Sequence, residues 1–218
     1  MPIEQVVFDL NGTLFDPAAM AEPLGHGGEG LVEEILGDTI LLAMVETLTG
    51  SYRDFSELLR AAARRRLALQ GQDDRLDAVV AGAKEMKPYP EAPVAIETLR
   101  EAGIGAAVLT NSSTDAARSL VANAELRPLA PIVGTDQVGA FKPDFRVYER
   151  GVEAAGRRPE AVALITAHAW DAIGAKRAGL RAAWVSRRER ARPRIDPAPD
   201  LEAPDLATAA ARIVDART

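Results

Sequence analysis

Four short apolar runs rich in Val, Ile and Ala, each ending in polar or small residues, punctuate the chain at residues 6–10, 105–110, 162–166 and 182–186, with a weaker fifth at 131–134. Unbroken apolar runs of this length are the pattern of strands buried on both faces. Between them lie stretches with helical spacing. Residues 91–102 close at Gly103 and residues 144–155 close at Gly156, and glycine is the residue that most readily takes the left-handed backbone ending a helix. Strands alternating with helices predict an α/β fold, a doubly wound parallel sheet with helices on both faces.

Residues 17–83 break that rhythm. They hold no strand-like run and read as helices over 30–49 and 55–70, with Arg60, Arg64, Arg65 and Arg66 on exposed faces. The expectation is a helical cap domain, 17–83, inserted after the first strand into an α/β core domain of 1–16 and 84–218. Lys87-Pro88-Tyr89-Pro90 ends the insert, because its two prolines cannot continue a helix. The glycine-rich stretch from Gly25 to Gly30 follows no strand and lacks the Lys-Ser/Thr ending of a phosphate-binding loop, so it reads as a flexible loop of the insert with His26 exposed. Beyond Arg190 a tail rich in Pro and Asp is expected to wrap the surface before a last helix at 206–214.

Composition narrows the chemistry. The 218 residues include no cysteine, which removes disulfides, zinc-thiolate sites and cysteine nucleophiles. Twenty-six Lys and Arg against 32 Asp and Glu give a net charge of −6, so no global basic field recruits nucleic acid or an anionic membrane. Two histidines, His26 and His168, are too few for an all-His metal site. No run approaches the roughly 20 apolar residues of a membrane span, and the first residues are too acidic and too short for a signal peptide. The expected setting is the cytoplasm and the expected partner a small-molecule substrate, with a second copy of the chain as the candidate protein partner.

In a doubly wound sheet ligands bind outside the carboxyl ends of the strands. Asp9-Leu10-Asn11-Gly12-Thr13 follows the first strand and Thr110-Asn111-Ser112-Ser113 the second, while Thr166-Ala167-His168-Ala169-Trp170-Asp171 follows the fourth. Lys142-Pro143-Asp144 stands on a loop of its own. An ionised Asp9 beside an ammonium at Lys142 can act as a nucleophile, and Thr13, Thr110 and Asn111 can donate hydrogen bonds to it or to an anionic substrate group. Each residue also has a plainer reading: Asp9 as a turn cap, Lys142 as a solvated lysine, Asp171 as a first-turn complement to a helix dipole, His168 as a hydrogen-bonded structural histidine. Trp170 reads as packing, and Tyr52 and Phe55 as residues that could roof the pocket.

The phrases Phe8-Asp9-x-x-Gly12-Thr13-Leu14-Phe15-Asp16, Leu109-Thr110-Asn111, Lys142-Pro143-Asp144-x-Arg146-Val147-Tyr148 and Ala169-Trp170-Asp171-x-x-Gly174-Ala175 occur in this order over nearly the whole chain. Together they resemble the four motifs of the haloacid dehalogenase superfamily, and more narrowly its L-2-haloacid dehalogenase branch. That resemblance implies Asp9 as the nucleophile, Lys142, Asp171 and Thr13 as its catalytic partners, and Leu10, Asn11, Thr110, Asn111, Tyr148, Thr166 and His168 around the substrate. It also implies no metal and no cofactor, with hydrolysis of a small electrophile through an aspartyl ester. Magnesium-dependent phosphatases of the superfamily carry a second Asp where this chain has Asn11, and an acidic pair where it has Thr166-Ala167-His168. A phosphatase acting on a small phosphate monoester and a catalytically silent binding protein are the alternatives. Two features depart from the dehalogenase branch itself: Asn11 stands for its usual tyrosine, and Leu36 falls near the expected place of its cap arginine.

Overall fold

The computed structural model describes residues 2–126 and 128–216. Its strands are β1 (Gln5–Phe8), β2 (Phe15–Asp16), β3 (Lys87–Pro88), β4 (Gly105–Thr110), β5 (Ile132–Gly134), β6 (Val162–Thr166), β7 (Arg181–Val185) and β8 (Leu201–Ala203). Six of them form one sheet in the order β5-β4-β1-β6-β7-β8, every neighbouring pair parallel. All residues of β1 and β6, at the centre, are buried, as the unbroken apolar runs require. Successive side chains alternate between faces. Val6 and Phe8 join a core covered by α5 (Ala92–Glu101), α6 (Thr114–Asn123) and α9 (Leu206–Asp215), whereas Val7 joins a core covered by α7 (Phe145–Ala155) and α8 (Ala169–Arg177).

The strand ends differ from the sequence pattern in an informative way. The apolar run assigns 6–10 to the first strand, but β1 stops at Phe8 because Gly12, at φ 79°, lets the chain turn back on itself. Gly12 N donates to Phe15 O (2.8 Å) and Phe15 N to Leu10 O (3.0 Å), so Asp9 leaves the sheet at its carboxyl edge. The fourth long run, read as 182–186, begins one residue earlier because Arg181 pairs with Ala163. The tail does more than wrap the surface: its three residues in β8 extend the sheet by an edge strand.

Between β2 and β3 the chain is helical: α1 (Ala18–Ala21), α2 (Gly28–Leu48), α3 (Phe55–Leu69) and α4 (Leu76–Gly82). These helices share their own apolar cluster, including Met20, Val32, Ile35, Leu59, Leu67 and Val79. Asp54 starts α3 by accepting from Ser56 N (2.8 Å), a helix N-cap. Two expectations for this region fail. The segment from Gly25 to Gly30 is not all loop, since α2 begins at Gly28; a Cβ there would lie 2.7 Å from Leu24 Cβ and 2.8 Å from Ala21 O, so this glycine permits close packing. Arg60 and Arg66 are half-buried, not on exposed faces. Arg66 donates to both Asp38 oxygens (2.7 and 2.8 Å) and to Glu34 (2.7 Å), and Arg60 pairs with Asp77, because each aligned face carries carboxylates from a neighbouring helix.

The insert leaves and rejoins the sheet side by side. Phe15 and Asp16 of β2 pair antiparallel with Pro88 and Lys87 of β3, and Tyr89 N donates to Leu14 O (2.9 Å). Among the described residues no helix is long and apolar enough to cross a membrane.

Candidate active site

Asp9, immediately beyond β1, meets Lys142 and Asp171 in one buried cluster. Lys142 Nζ donates to Asp9 Oδ1 (2.8 Å), to Asp171 Oδ2 (2.8 Å) and to Leu109 O (3.1 Å), which uses all three ammonium protons. The lysine side chain is 1% exposed and its partners 8% and 0%. Burial alone would push the ammonium toward losing its proton, but the carboxylates of Asp171 and Asp9 outweigh it and raise Lys142 above its ordinary value. Burial likewise acts to raise the Asp9 carboxyl. Lys142, His168 and the hydrogen bonds from Lys142 and Thr13 overcome that and bring it below its ordinary value, so Asp9 is an ionised carboxylate at neutral pH.

Both oxygens of Asp9 are oriented. Thr13 Oγ1 donates to Asp9 Oδ2 (2.7 Å) and itself accepts from Ala167 N (2.9 Å), which ties the nucleophile loop to the end of β6. Tyr148, fully buried on α7, donates to Asp171 Oδ1 (2.7 Å). Burial and the adjacent Asp171 raise that phenol well above its ordinary value, which keeps it a donor. Gly174 makes room for it, since a Cβ there would collide with the Tyr148 hydroxyl and lie 2.7 Å from Pro143 Cβ.

The remaining expected residues ring this cluster. Asn111 Oδ1 accepts from Lys142 N (2.9 Å), while its Nδ2 is buried with no partner. Thr110 Oγ1 accepts from Ser112 N (3.2 Å), and Asn11 Nδ2 donates to Ser112 Oγ (3.1 Å), leaving Asn11 Oδ1 buried and unpaired. Thr166 is fully buried and accepts from His168 N (3.1 Å). His168 Nε2, in the tautomer protonated there, donates to Asn11 O (3.0 Å); it lies 3.7 Å from Asp9 Oδ2, and the ring stacks on Trp170. Leu10 and Asn11 open onto a cavity of about 470 Å³ between the sheet edge and the helical insert. Leu36 and Phe55 form part of its wall, whereas Tyr52 stacks instead on Phe141, with ring centroids 4.8 Å apart. Among the described residues no three His, Asp or Glu gather to hold a metal ion, and the carboxylates of Asp9 and Asp171 share the Lys142 ammonium.

The family model for haloacid dehalogenase-like hydrolases matches residues 3–179. The chain belongs to the haloacid dehalogenase-like hydrolases. Haloacetate dehalogenase H-2 of Moraxella sp. (strain B) is 28% identical over 93% of this chain and 94% of its own. An (S)-2-haloacid dehalogenase of Pseudomonas sp. (strain YL) is 29% identical over 94% and 91%. The L-2-haloacid dehalogenase of Xanthobacter autotrophicus, solved with chloropropionic acid covalently bound, superimposes with a TM-score of 0.88 at 26% identity, covering 99% of this chain and 100% of that one.

In this haloacid dehalogenase-like hydrolase the loop after β7 also reaches the site, which reading the other strand ends does not reveal. Arg188 bonds Glu33 of α2 and keeps Nη1 buried without a partner. Glu189 accepts from Ala169 N (2.9 Å) and Trp184 Nε1 (3.1 Å), and its Oε1 lies 4.0 Å from His168 Nδ1. A Cβ on Gly12 would lie 3.0 Å from Arg188 Nη1 and 3.2 Å from His168 Nε2, so Gly12 is needed for space as well as for its positive φ. The signal for Arg188 and Glu189 is the rule applied to the other strands: they lie just past a buried parallel strand.

Proposed function

We infer that this hydrolase is a 2-haloacid dehalogenase in which Asp9 is the covalent nucleophile. The observation that carries the reading is the Asp9 carboxylate, held ionised between Lys142 and Thr13, with the next two residues, Leu10 and Asn11, lining a largely apolar cavity. One Asp9 oxygen attacks C2 of the substrate, the carbon–halogen bond breaks with inversion, and halide departs with the electron pair. The negative charge of Asp9 thereby moves to the leaving halide, and the carboxylate becomes an ester. Water then adds to the ester carbonyl carbon. Lys142 and Thr13, already bonded to the Asp9 oxygens, stabilise the charge that develops there before the C2 alcohol leaves and the carboxylate and a proton are regenerated. Asp171, braced by Tyr148, holds the ammonium in register. Asn111 Nδ2, buried and unpaired, is the donor available to the substrate carboxylate, with Thr110, Asn11, Leu10 and His168 around it and Thr166 supporting His168.

The same reading makes residues 17–83 a cap over a core of 1–16 and 84–218, a metal-independent enzyme acting in the cytoplasm, and a homodimer. Sedimentation tests the last of these, and turnover in chelator against turnover in added magnesium tests the metal. The chemical test is a single turnover in heavy-oxygen water with enzyme in excess. The product hydroxyl should carry light oxygen from Asp9 and the protein should gain one heavy oxygen. Heavy oxygen in the product of that first turnover would mean direct attack by water and sink the ester route.

A further inference from the structure

The cavity onto which Leu10 and Asn11 open is larger than a short haloacid requires. A chloropropionate of six non-hydrogen atoms fills on the order of 100–150 Å³, about four or five water volumes. The cavity offers about 470 Å³, within the range of pockets that enclose ligands of many more atoms. It begins at Leu10 and Asn11, the two residues after Asp9, and its wall continues over Met20, Leu36, Phe55, Leu59 and Leu120. Met20, Phe55, Leu59 and Leu120 are themselves buried, so the wall is backed by three apolar clusters. Polar residues are interspersed along it, among them Asn11 and Ser112 from the loops after β1 and β4, Asp54 and Ser56 on either side of Phe55, and Lys84 and Asp115. A wall whose area is predominantly apolar, with Leu36 where a guanidinium would shrink and charge it, is complementary to a hydrocarbon tail.

We propose that the substrate of this site is a medium-chain 2-haloacid, about six to ten carbons long, whose C2 meets Asp9 and whose alkyl tail fills the cavity lined by Leu36, Phe55, Leu59 and Leu120. The proposal rests on the dehalogenase reading for its leaving group, and on the cavity alone for its tail. The chemistry is unchanged: a bond forms between an Asp9 oxygen and C2, the carbon–halogen bond breaks, and water adds to the ester carbonyl, so the 2-hydroxyacid leaves with the former Asp9 oxygen while the water oxygen stays in the regenerated Asp9 carboxylate. Each methylene moved from water into such a wall adds up to about fourfold in kcat/KM.

The test is halide release from a series of 2-bromoalkanoates of increasing chain length, together with calorimetric binding of the matching unbrominated acids to the wild-type protein. Rising kcat/KM from three carbons to eight, by about 100-fold, with octanoate binding much more tightly than propanoate, is the expected result. Leu36→Trp, which fills the wall, should erase most of the gain for the eight-carbon acid and change the three-carbon acid far less. A three-carbon optimum, or equal binding of propanoate and octanoate, overturns the proposal. Preferential octanoate binding without halide from any member would leave the tail pocket supported and remove the dehalogenase reading instead.

Discussion

Replacing Lys142 by Met tests the buried cluster directly, because it removes the one positive group between two carboxylates and keeps an apolar stem of similar length. In the wild type the ammonium sits 2.8 Å from a carboxylate oxygen of Asp9 and of Asp171, both nearly inaccessible to water. Taking away one partner of a buried ion pair leaves charge without compensation and costs about 3–5 kcal/mol. With a urea slope of about 2–3 kcal/mol/M for a chain of this size, the midpoint should fall by roughly 1–2 M at about pH 7.5. The effect should depend on pH in a definite sense. Asp9 has its folded carboxyl below the ordinary 3.8, so its contribution is present above that value and is lost as pH falls through the folded one. Lys142 is raised above 10.5, so its contribution is present below 10.5 and is lost as pH rises through its folded value. Between these limits the contributions of Asp9 and Lys142 are level. In Lys142→Met the ammonium that holds the Asp9 carboxyl down is gone, so Asp9 protonates at higher pH and the stability gap to wild type narrows toward about pH 5. Urea unfolding of both proteins at about pH 7.5 and about pH 5 measures this. A loss below about 1 kcal/mol at the higher pH, or an equal loss at both, would show that the carboxylates are not ionised against the lysine.

Asp9→Asn should abolish turnover and leave the circular dichroism spectrum unchanged; retained activity on any substrate the wild type hydrolyses would refute the nucleophile. Gly174→Ala should destabilise by about 1–3 kcal/mol in urea, because the new methyl overlaps the Tyr148 hydroxyl, and it should lower turnover by loosening Asp171. Leu36→Arg should raise kcat/KM for 2-chloropropionate by roughly 10- to 150-fold, the rate equivalent of a charge-assisted contact of about 1.5–3 kcal/mol, while lowering it for longer acids. No gain for the short acid would show that position 36 does not present a cation to the reacting groups.

The core of the site is legible because its chemistry is local to strand ends. Asp9, Thr13 and Asp171 each lie within a few residues of a buried apolar run, and such runs converge on one edge of a parallel sheet. Other features resist the same reading for physical reasons. Gly28 opens a helix where the Ala21 carbonyl and the Leu24 side chain press against it, a closeness that appears only once α1 folds back on the start of α2. Arg66 looks like a solvated charge until α2 brings Asp38 and Glu34 alongside, 28 and 32 residues away. Three residues in β8 are too few to show a period. Arg188 and Glu189 obey the strand-end rule, but only the fold shows the turn after β7 carrying them back over Gly12 and His168.

The short pairing of β2 with β3 places both covalent crossings between sheet and helices at one spot. A unit attached through two adjacent chains can swing as a door does on its hinge, but it cannot slide or twist freely, so its relative motion reduces to rotation about that ribbon. Phe15 and Pro88 therefore define a pivot, and Arg188 on Glu33 is a fastening between the sheet side and α2. The cavity wall is divided between the two leaves, with Leu36 and Phe55 on one and Ser112 and Leu120 on the other, so the angle of the door sets how wide the chamber stands.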